Sequence, residues 1–442
     1  MRATLILLLL ATHAASAQTF QKSYSIGTGG ETGGSSRQTS DGGFILLGTT
    51  QVGSQILVTK VDSNGAVAWA RTYGGIDVDI GNSIQQTRDG GYIVAGYTLS
   101  FGAGLHDAYV FKITATGGVT WSRTFGGAGD DFANSIRQTR DGGFIIAGFT
   151  TSTGAGDRDV WLLKLSGTGS VEWSKTFGGF NTEEGNDARA TFDGGYVVAG
   201  KTHTFGAGGA DVYIVKTDGA GNLQWSRTFG TVYDFPPGFD DIAYGVAVAP
   251  NSFFIAGMAS HFDYITATFD QRAYFLRVDT NGTPIVSKSY NGGTNKEIAY
   301  SIAPTRDGGF ILAGSAYSFA VTTQEVFVLK VRPNGNLETA RTFATGDFAQ
   351  GASAQRTGDG GYVISGYRHA AGSPFSGYGL YLVKTDSALE SCAGQTVVPE
   401  VELPPTAYTL PATETGDGPG LSNATPDTNV ADTEIGVTST CE

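Results

Sequence analysis

Residues 86–96 read QTRDGGYIVAG, and the phrase returns at 138–148 as QTRDGGFIIAG. Its central Asp-Gly-Gly falls at Asp41, Asp89, Asp141, Asp193, Asp307 and Asp359, and a degenerate copy, PNSFFIAG, begins at Pro250. Successive copies are 48, 52, 52, 57, 57 and 52 residues apart. Seven copies at this period commit the chain to a repeat architecture, in which each unit buries its apolar face against its neighbours.

Each unit holds four short β-like runs. In the third copy they are NSIRQT (134–139), GFIIAGFT (143–150), DVWLLKL (159–165) and VEWSKTF (171–177). The second and third are continuously apolar, the pattern of strands covered on both faces. Asp-Gly marks a hairpin turn between the first two, and turns such as DSNG (62–65) and GAGN (219–222) separate the last two. No segment carries a helical period. Four antiparallel strands repeated seven times predict an all-β fold, a seven-bladed β-propeller. The chain ends support closure. FQKSY (20–24) matches the fourth-strand phrase WSRTF (121–125), while the last unit stops after its third run, GLYLVKT (379–385). The N-terminal strand is therefore expected to complete the seventh blade, which leaves the ring without an open edge.

Residues 1–17 read as a signal peptide, with Arg2, an apolar run from Leu5 to Ala11 and the small residues Ala15-Ser16-Ala17 before the cleavage point. A secreted or cell-surface location follows. The propeller is assigned to 18–387. Residues 388–442, rich in Pro, Thr, Ala and acids, read as a flexible tail. The two cysteines, Cys392 and Cys441, lie near the C-terminus, where they could pair in an exported protein. The 66 glycines follow no G-x-y period and indicate turns rather than collagen. A net charge of −13 disfavours nucleic acid and anionic membranes as partners, and no later apolar run is long enough to span a bilayer. The propeller is expected to be a monomer.

Three phrases recur between about residues 20 and 387: T-x-D-G-G-F/Y-I/V, D-A/V-Y/W-x-x-K and W-S-R/K-T-F-G-G. They resemble WD40 and kelch-type propellers, within a broad group of secreted prokaryotic propeller repeats. The WD dipeptide itself is absent. The resemblance implies architecture and leaves the biochemistry open.

A residue that recurs in every blade solves a problem that every blade has. Glu31, Asp79, Asp131, Glu183, Asp241, Glu297 and Asp347 lie just ahead of the first strands, in the expected inter-blade loops. Each carboxylate is read as accepting backbone N–H bonds that fix its loop. The alternative is a Ca2+-binding ring; otherwise no cofactor and no metal site is expected. Lys60, Lys112, Lys164, Lys216, Arg277, Lys330 and Lys384 end the third strands and are read as partners of the turn aspartates. Trp69, Trp121, Trp173 and Trp225, spaced by 52, are read as packing between blades.

Departures from the repeat are the candidate functional positions, and blade five departs most. Its entry segment, GTVYDFPPGFDDIAYG (230–245), and the segment between its second and third strands, ASHFDYITATFDQRAYF (259–275), are longer than their counterparts. Both are expected as loops on one face. They offer Tyr233, Asp234, Phe235, Phe239, Asp240, His261, Phe262, Asp263, Tyr264, Asp270 and Arg272. Aromatics mixed with carboxylates and an arginine suit sugar stacking or a protein hot spot, or the two inserts simply pack on each other. His106, His203, His261 and His369 all fall between second and third strands and are read as rim residues, not metal ligands. G-x-S-x-G, H-E-x-x-H and P-loop motifs are absent. The leading function is non-catalytic extracellular binding of a protein or polysaccharide, with no catalytic residue assigned. The alternatives are a glycan-active enzyme using Asp234, Asp240, Asp263 or Asp270 as acid and base, and a purely structural surface or adhesion module.

Overall fold

The computed structural model of the chain describes residues 19–391 except 26–30, 52–53, 207, 231–238, 264–267, 292–295, 318–323, 344–347 and 370–377. Four stretches follow beyond these, at 407–408, 413–417, 429–432 and 436–439. The protein is all-β: seven sheets of antiparallel strands arranged as the blades of a ring. Blade 3 is representative, with strands Asp131–Gln138, Phe144–Thr150, Asp159–Leu165 and Val171–Gly178 in spatial order. The N-terminal strand Phe20–Ser25 is the fourth strand of blade 7, pairing Tyr24 with Leu380 and Phe20 with Lys384. Ring closure by the N-terminus is thus as the repeat phase requires.

The first strands begin earlier than the sequence pattern suggests. Asp79, Asp131, Glu183 and Glu297 are the opening residues of their strands, not loop residues. A β-bulge interrupts each first strand, between Ala133 and Ser135 in blade 3, and it hides the alternation on which a strand boundary is read. The Asp-Gly-Gly turns are three-residue hairpins. In blade 3, Gly142 donates its N–H to Thr139 O at 3.1 Å and adopts φ +88°, a left-handed conformation that favours glycine. Asp141 Oδ1 accepts the Gly143 N–H at 3.0 Å, and Lys164 Nζ lies 3.0 Å from Asp141 Oδ2. The same Lys–Asp pair recurs as Lys60–Asp41, Lys112–Asp89, Lys216–Asp193, Lys330–Asp307 and Lys384–Asp359. Hydrogen bonds from Lys112 and Thr87 hold the Asp89 carboxyl down at about 2. In blade 5, where Pro250 replaces the aspartate, Arg277 instead hydrogen-bonds Ser252 Oγ at 3.1 Å and stacks on Phe254.

The core is not inside the blades but between them. Among the described residues, seven apolar clusters each span one pair of neighbouring blades, and a smaller eighth, Ala210, Ile242, Met258 and Ile298, reaches across blades 4 to 6. That between blades 2 and 3 joins Ile93, Val110 and Phe125 to Ile136, Phe144 and Trp161. That between blades 7 and 1 joins Phe20, Tyr24 and Leu382 to Phe44, Leu57 and Val61. Each fully buried side chain of this kind contributes about 1.5–3 kcal/mol. The tryptophans lie at these seams. Trp69, Trp121, Trp173 and Trp225 meet Tyr92, Phe144, Tyr196 and Phe253 of the next blade at centroid distances of 6.2, 6.2, 5.7 and 6.1 Å. Polar bonds repeat across the seams near the axis. Asn82, Asn134 and Asn186 donate their side-chain N–H to Ala133 O, Gly185 O and Ala243 O at 3.1, 3.0 and 2.8 Å.

Beyond the ring, the C-terminal stretch that composition reads as flexible adds fifth strands at blade edges. Ala407–Tyr408 pairs with blade 4, Thr413–Asp417 with blade 3, Asn429–Asp432 with blade 1 and Gly436–Ser439 with the N-terminal strand in blade 7. Cys392 and Cys441 lie outside the described residues. No helix among the described residues is long and apolar enough to cross a membrane.

Tyr24 is fully buried in the closing seam, and its hydroxyl donates to Gly65 O of blade 1 at 2.9 Å. Replacing Tyr24 with Ala should destabilise the whole ring by about 3–5 kcal/mol, the cost of emptying an aromatic site. Urea unfolding checks this; a midpoint equal to wild type would show that the seam does not hold the ring together.

Candidate functional site

Two sets of connections share one face of the ring: those leading from a fourth strand into the next blade, and those between second and third strands. They are tied together there, as by Leu105 N to Gly129 O at 3.3 Å and Asp77 N to Ser100 Oγ at 3.0 Å. The Asp-Gly-Gly turns occupy the opposite face.

Blade five projects from the first of these faces. The stretch expected as a loop at 259–275 is instead mostly strand: the second and third strands of the blade are Ser252–Asp263 and Thr268–Asp279. They run in unbroken register out to His261↔Asp270, Phe262↔Phe269 and Asp263↔Thr268, forming a hairpin arm. His261 is therefore a strand residue, as is His369, the last residue of Tyr362–His369.

Five of the expected site residues come together on this arm and its base. On one side, Phe239 stacks on Phe269 with centroids 4.7 Å apart and lies 6.1 Å from Phe262. On the other, Arg272 Nε reaches both oxygens of Asp270 at 3.2 Å, and Nη2 reaches Asp270 Oδ2 at 3.1 Å. Arg272 Nη2 also donates to His261 Nδ1 at 2.8 Å, so a neutral imidazole there carries its proton on Nε2. Asn291 Nδ2 donates to Asp270 Oδ2 at 3.1 Å. Phe269 and Asn291 belong to the cluster although the sequence reading did not single them out. Phe269 could have been found from its register opposite Phe262. Asp240 points elsewhere: Oδ1 accepts the Ala210 N–H at 2.8 Å and fixes the base of the insert. Tyr233, Asp234, Phe235 and Tyr264 lie outside the described residues, and Asp263 is described only as part of its strand. Both oxygens of Asp270 are already engaged by Arg272 and Asn291. The described arm thus offers a rigid charged and aromatic surface rather than a carboxylate open to a substrate.

Arg272 also marks a break in the repeat. It pairs in register with Ala259 as Asp107, Asp159 and Asp211 pair with Thr98, Thr150 and Thr202. In blades 2 to 4 this position is a buried acid facing the first acid of the next blade. A Cβ placed on Gly126 would lie 2.2 Å from Asp107 Oδ1 and 2.7 Å from Asp131 Oδ2, so the T-F-G phrase needs glycine there. In blade five Arg272 stands in the place of Asp107 and Asn291 in the place of Gly126.

These buried acids hold loops. Asp79 Oδ2 accepts the Gly75 N–H at 2.7 Å, and Asp107 Oδ2 accepts those of Ala103 and Gly104 at 3.0 and 3.2 Å. Glu183 Oε2 accepts the Gly179 N–H at 2.7 Å. Among the described residues, no three His, Cys, Asp or Glu side chains are grouped so as to hold a metal ion. Burial, and secondarily the charge of Asp131, raise the Asp107 carboxyl, and its Oδ1 has no hydrogen-bond partner among the described residues.

The loops so anchored carry exposed apolar side chains. Large exposed hydrophobic residues among those described are Ile76, Leu99, Leu105, Phe180, Phe192, Phe269, Ile285 and Tyr317. Six of the eight, all but Phe192 and Ile285, lie on the face from which the blade-five arm projects.

No protein-family model matches the chain, and no curated protein matches it. Among solved structures it is similar to a fungal alcohol oxidase of the AA5 family in complex with copper, at 13% identity over 84% of this chain and 78% of that one, TM-score 0.43. It is similar to a puromycin hydrolase at 14% identity over 87% and 54%, TM-score 0.47, and so spans about half the length of that enzyme. Sqt1 from Chaetomium thermophilum matches at 10% identity over 80% and 87%, TM-score 0.43. Likeness at this level carries no chemistry to the chain.

Two substitutions test this account. Asp107→Asn keeps an oxygen for the loop N–H groups and removes a charge that burial disfavours. An acid whose pKa is raised on folding binds its proton more tightly in the folded chain, so its charged form weakens folding increasingly as pH rises. D107N should therefore gain about 1 kcal/mol at neutral pH and progressively less in acid, read by urea unfolding across pH. A loss at neutral pH would refute the burial argument. Arg272→Ala leaves the half-buried Asp270 without its charge partner and should cost roughly 2 kcal/mol in urea unfolding, with Arg272→Lys recovering only part because the planar fork is lost.

Proposed function

We propose that the chain is an exported, non-catalytic binding propeller of WD40- or kelch-like build, acting outside the cell or at its surface. It docks a protein partner on the face bearing the blade-five arm and needs no cofactor to do so. The supporting observation is the one-sided distribution of exposed apolar residues, six of eight on that face. Exposed apolar residues concentrated on one side of a ring, with the opposite side carrying two of the eight, favour that side as an interaction surface. Three of the six, Ile76, Leu99 and Leu105, are aliphatic and offer no flat ring on which a sugar could stack, while Phe180, Phe269 and Tyr317 are of the aromatic type enriched at protein interfaces. Loops fixed by Asp79, Asp107 and Glu183 lose little entropy on binding.

Photo-crosslinkers placed at Leu105, Phe180 and Phe269 should trap the partner from extracellular and surface-protein extract. The same group at Phe192, on the Asp-Gly-Gly face, should not. A triple substitution of Leu105, Phe180 and Phe269 by Asp should abolish capture with the fold intact by circular dichroism. Equal trapping from both faces would overturn the assignment. Retardation in polysaccharide gels that is lost on Phe269→Ala would move the ligand class from protein to glycan.

A further inference from the structure

The other end of the channel carries a different chemistry. The first strands end at seven equivalent positions around the axis, one per blade, paired in register with the apolar start of the second strand. Blades 1, 3 and 4 place Arg37, Arg137 and Arg189 there, opposite Ile45, Ile145 and Val197. Blades 2 and 7 place Gln85 and Gln355, and blades 5 and 6 place Ala247 and Ala303. These side chains line a cavity of about 580 Å³ that opens between the Asp-Gly-Gly turns. The seven-fold repeat has thus been broken into a cationic side, two amides and an apolar wall completed by Pro304.

One carboxylate answers the three guanidinium groups. In blades 1 to 3, Ser35, Ser83 and Ser135 accept the first-strand N–H of the following blade, at 3.4, 3.3 and 3.1 Å. Asp187 takes that place in blade 4, accepting the Val246 N–H at 3.3 Å. It also accepts Arg137 Nη2 at 3.0 Å and Arg189 Nη2 at 3.1 Å. Arg37 has no ion pair among the described residues. Its Nη1 donates to Ser36 O at 2.7 Å and Ser353 Oγ at 3.0 Å, and its Nη2 has no partner among the described residues. Burial, then repulsion from Arg189, bring the Arg37 guanidinium down to about 10, so that it remains charged at neutral pH. The mouth therefore carries two uncompensated positive charges in a chain whose net charge is −13. Crowded, half-buried cations of this kind disfavour the empty site and favour an anion between them.

We propose that this end of the channel is a binding site for a small organic carboxylate. The carboxylate sits between Arg37 and Arg189, amide hydrogen bonds come from Gln85 and Gln355, and an apolar body lies against Ala247, Ala303 and Pro304. The cavity falls within the size range of small-molecule sites, and the two-sided lining selects an anion with an apolar portion over an inorganic one. This site is separate from the apolar face and does not depend on it.

Isothermal titration of the purified chain with benzoate and with inorganic sulfate, at neutral pH and low salt, tests the assignment. Benzoate should bind with Kd of about 1 mM or below, and sulfate about tenfold more weakly. Arg37→Gln should weaken benzoate by about tenfold or more, the loss of a charge-assisted hydrogen bond, with little change in unfolding midpoint because Arg37 has no buried carboxylate to orphan. Ala303→Asp, which lines the apolar wall with negative charge, should abolish binding in a chain that remains folded. No heat with benzoate, equal affinity for sulfate, or unchanged benzoate affinity in folded R37Q would each overturn the proposal.

Discussion

The structure rests on apolar seams between sheets, each of which needs a neighbour on both sides. A single blade has two apolar faces and no means of covering them. Seven blades cover all fourteen faces only if the ring closes, and closure depends on one strand, Phe20–Ser25, joining the chain's beginning to its end. Tyr24 lies in that seam as Phe125 and Tyr73 lie in others. Because every seam is equivalent, the ring is only as stable as its closing one. The repeated polar bonds near the axis then set the register of blade on blade, where apolar contact alone would allow sliding.

A scaffold so constrained has few places for variation, and the variation is informative. At the loop face, three of the buried acids that recur between blades hold a backbone N–H beside a large exposed apolar residue. Asp79 binds Gly75 next to Ile76, Glu183 binds Gly179 next to Phe180, and Asp107 binds Gly104 next to Leu105. Asp79 and Asp107 are costly where they lie, since burial works against their charge. What they secure is a set of loops held in one conformation with apolar tips outward. Blade five replaces this device with an ion-paired arm, in which Arg272 and Asn291 stand where other blades have an acid and a glycine.

Much of this was legible in the sequence because it is local. Four strands per unit follow from apolar runs and turn residues, and the Lys–Asp pairs follow from their fixed place at the ends of neighbouring strands. Closure follows from the phase of FQKSY against WSRTF. What was not legible depends on direction. The bulge after Ala133 shifts the first strand's start, and no alternation survives to reveal it. The blade-five arm reads as a loop because its outer rungs, from His261↔Asp270 to Asp263↔Thr268, mix aromatic, charged and polar residues in place of the apolar run that marks the second and third strands elsewhere. Phe269 and Asn291 were missed for the same reason: their roles come from register, not from type. The channel cations were available as a column of the repeat, Arg37, Gln85, Arg137, Arg189, Ala247, Ala303 and Gln355, whose variability is plain once the copies are aligned. Only the bulge geometry says that this column faces the axis.

The two ends of the ring consequently solve opposite problems. At the loop face, charge is buried and tied to backbone, so that what meets solvent is apolar and fixed in shape. At the turn face, the aspartates are matched by lysines from the same blade, and charge is neutralised pair by pair. Inside the channel mouth that pairing stops: Arg137 and Arg189 share Asp187, and Arg37 is left over. Repetition would place the same residue at all seven positions, and seven arginines would repel one another beyond what the seams could hold. Confining cations to three blades, amides to two and small apolar residues to two keeps the repulsion local. It also makes a symmetric channel asymmetric, and a pocket must be asymmetric to orient a ligand that has a charged end and an apolar one.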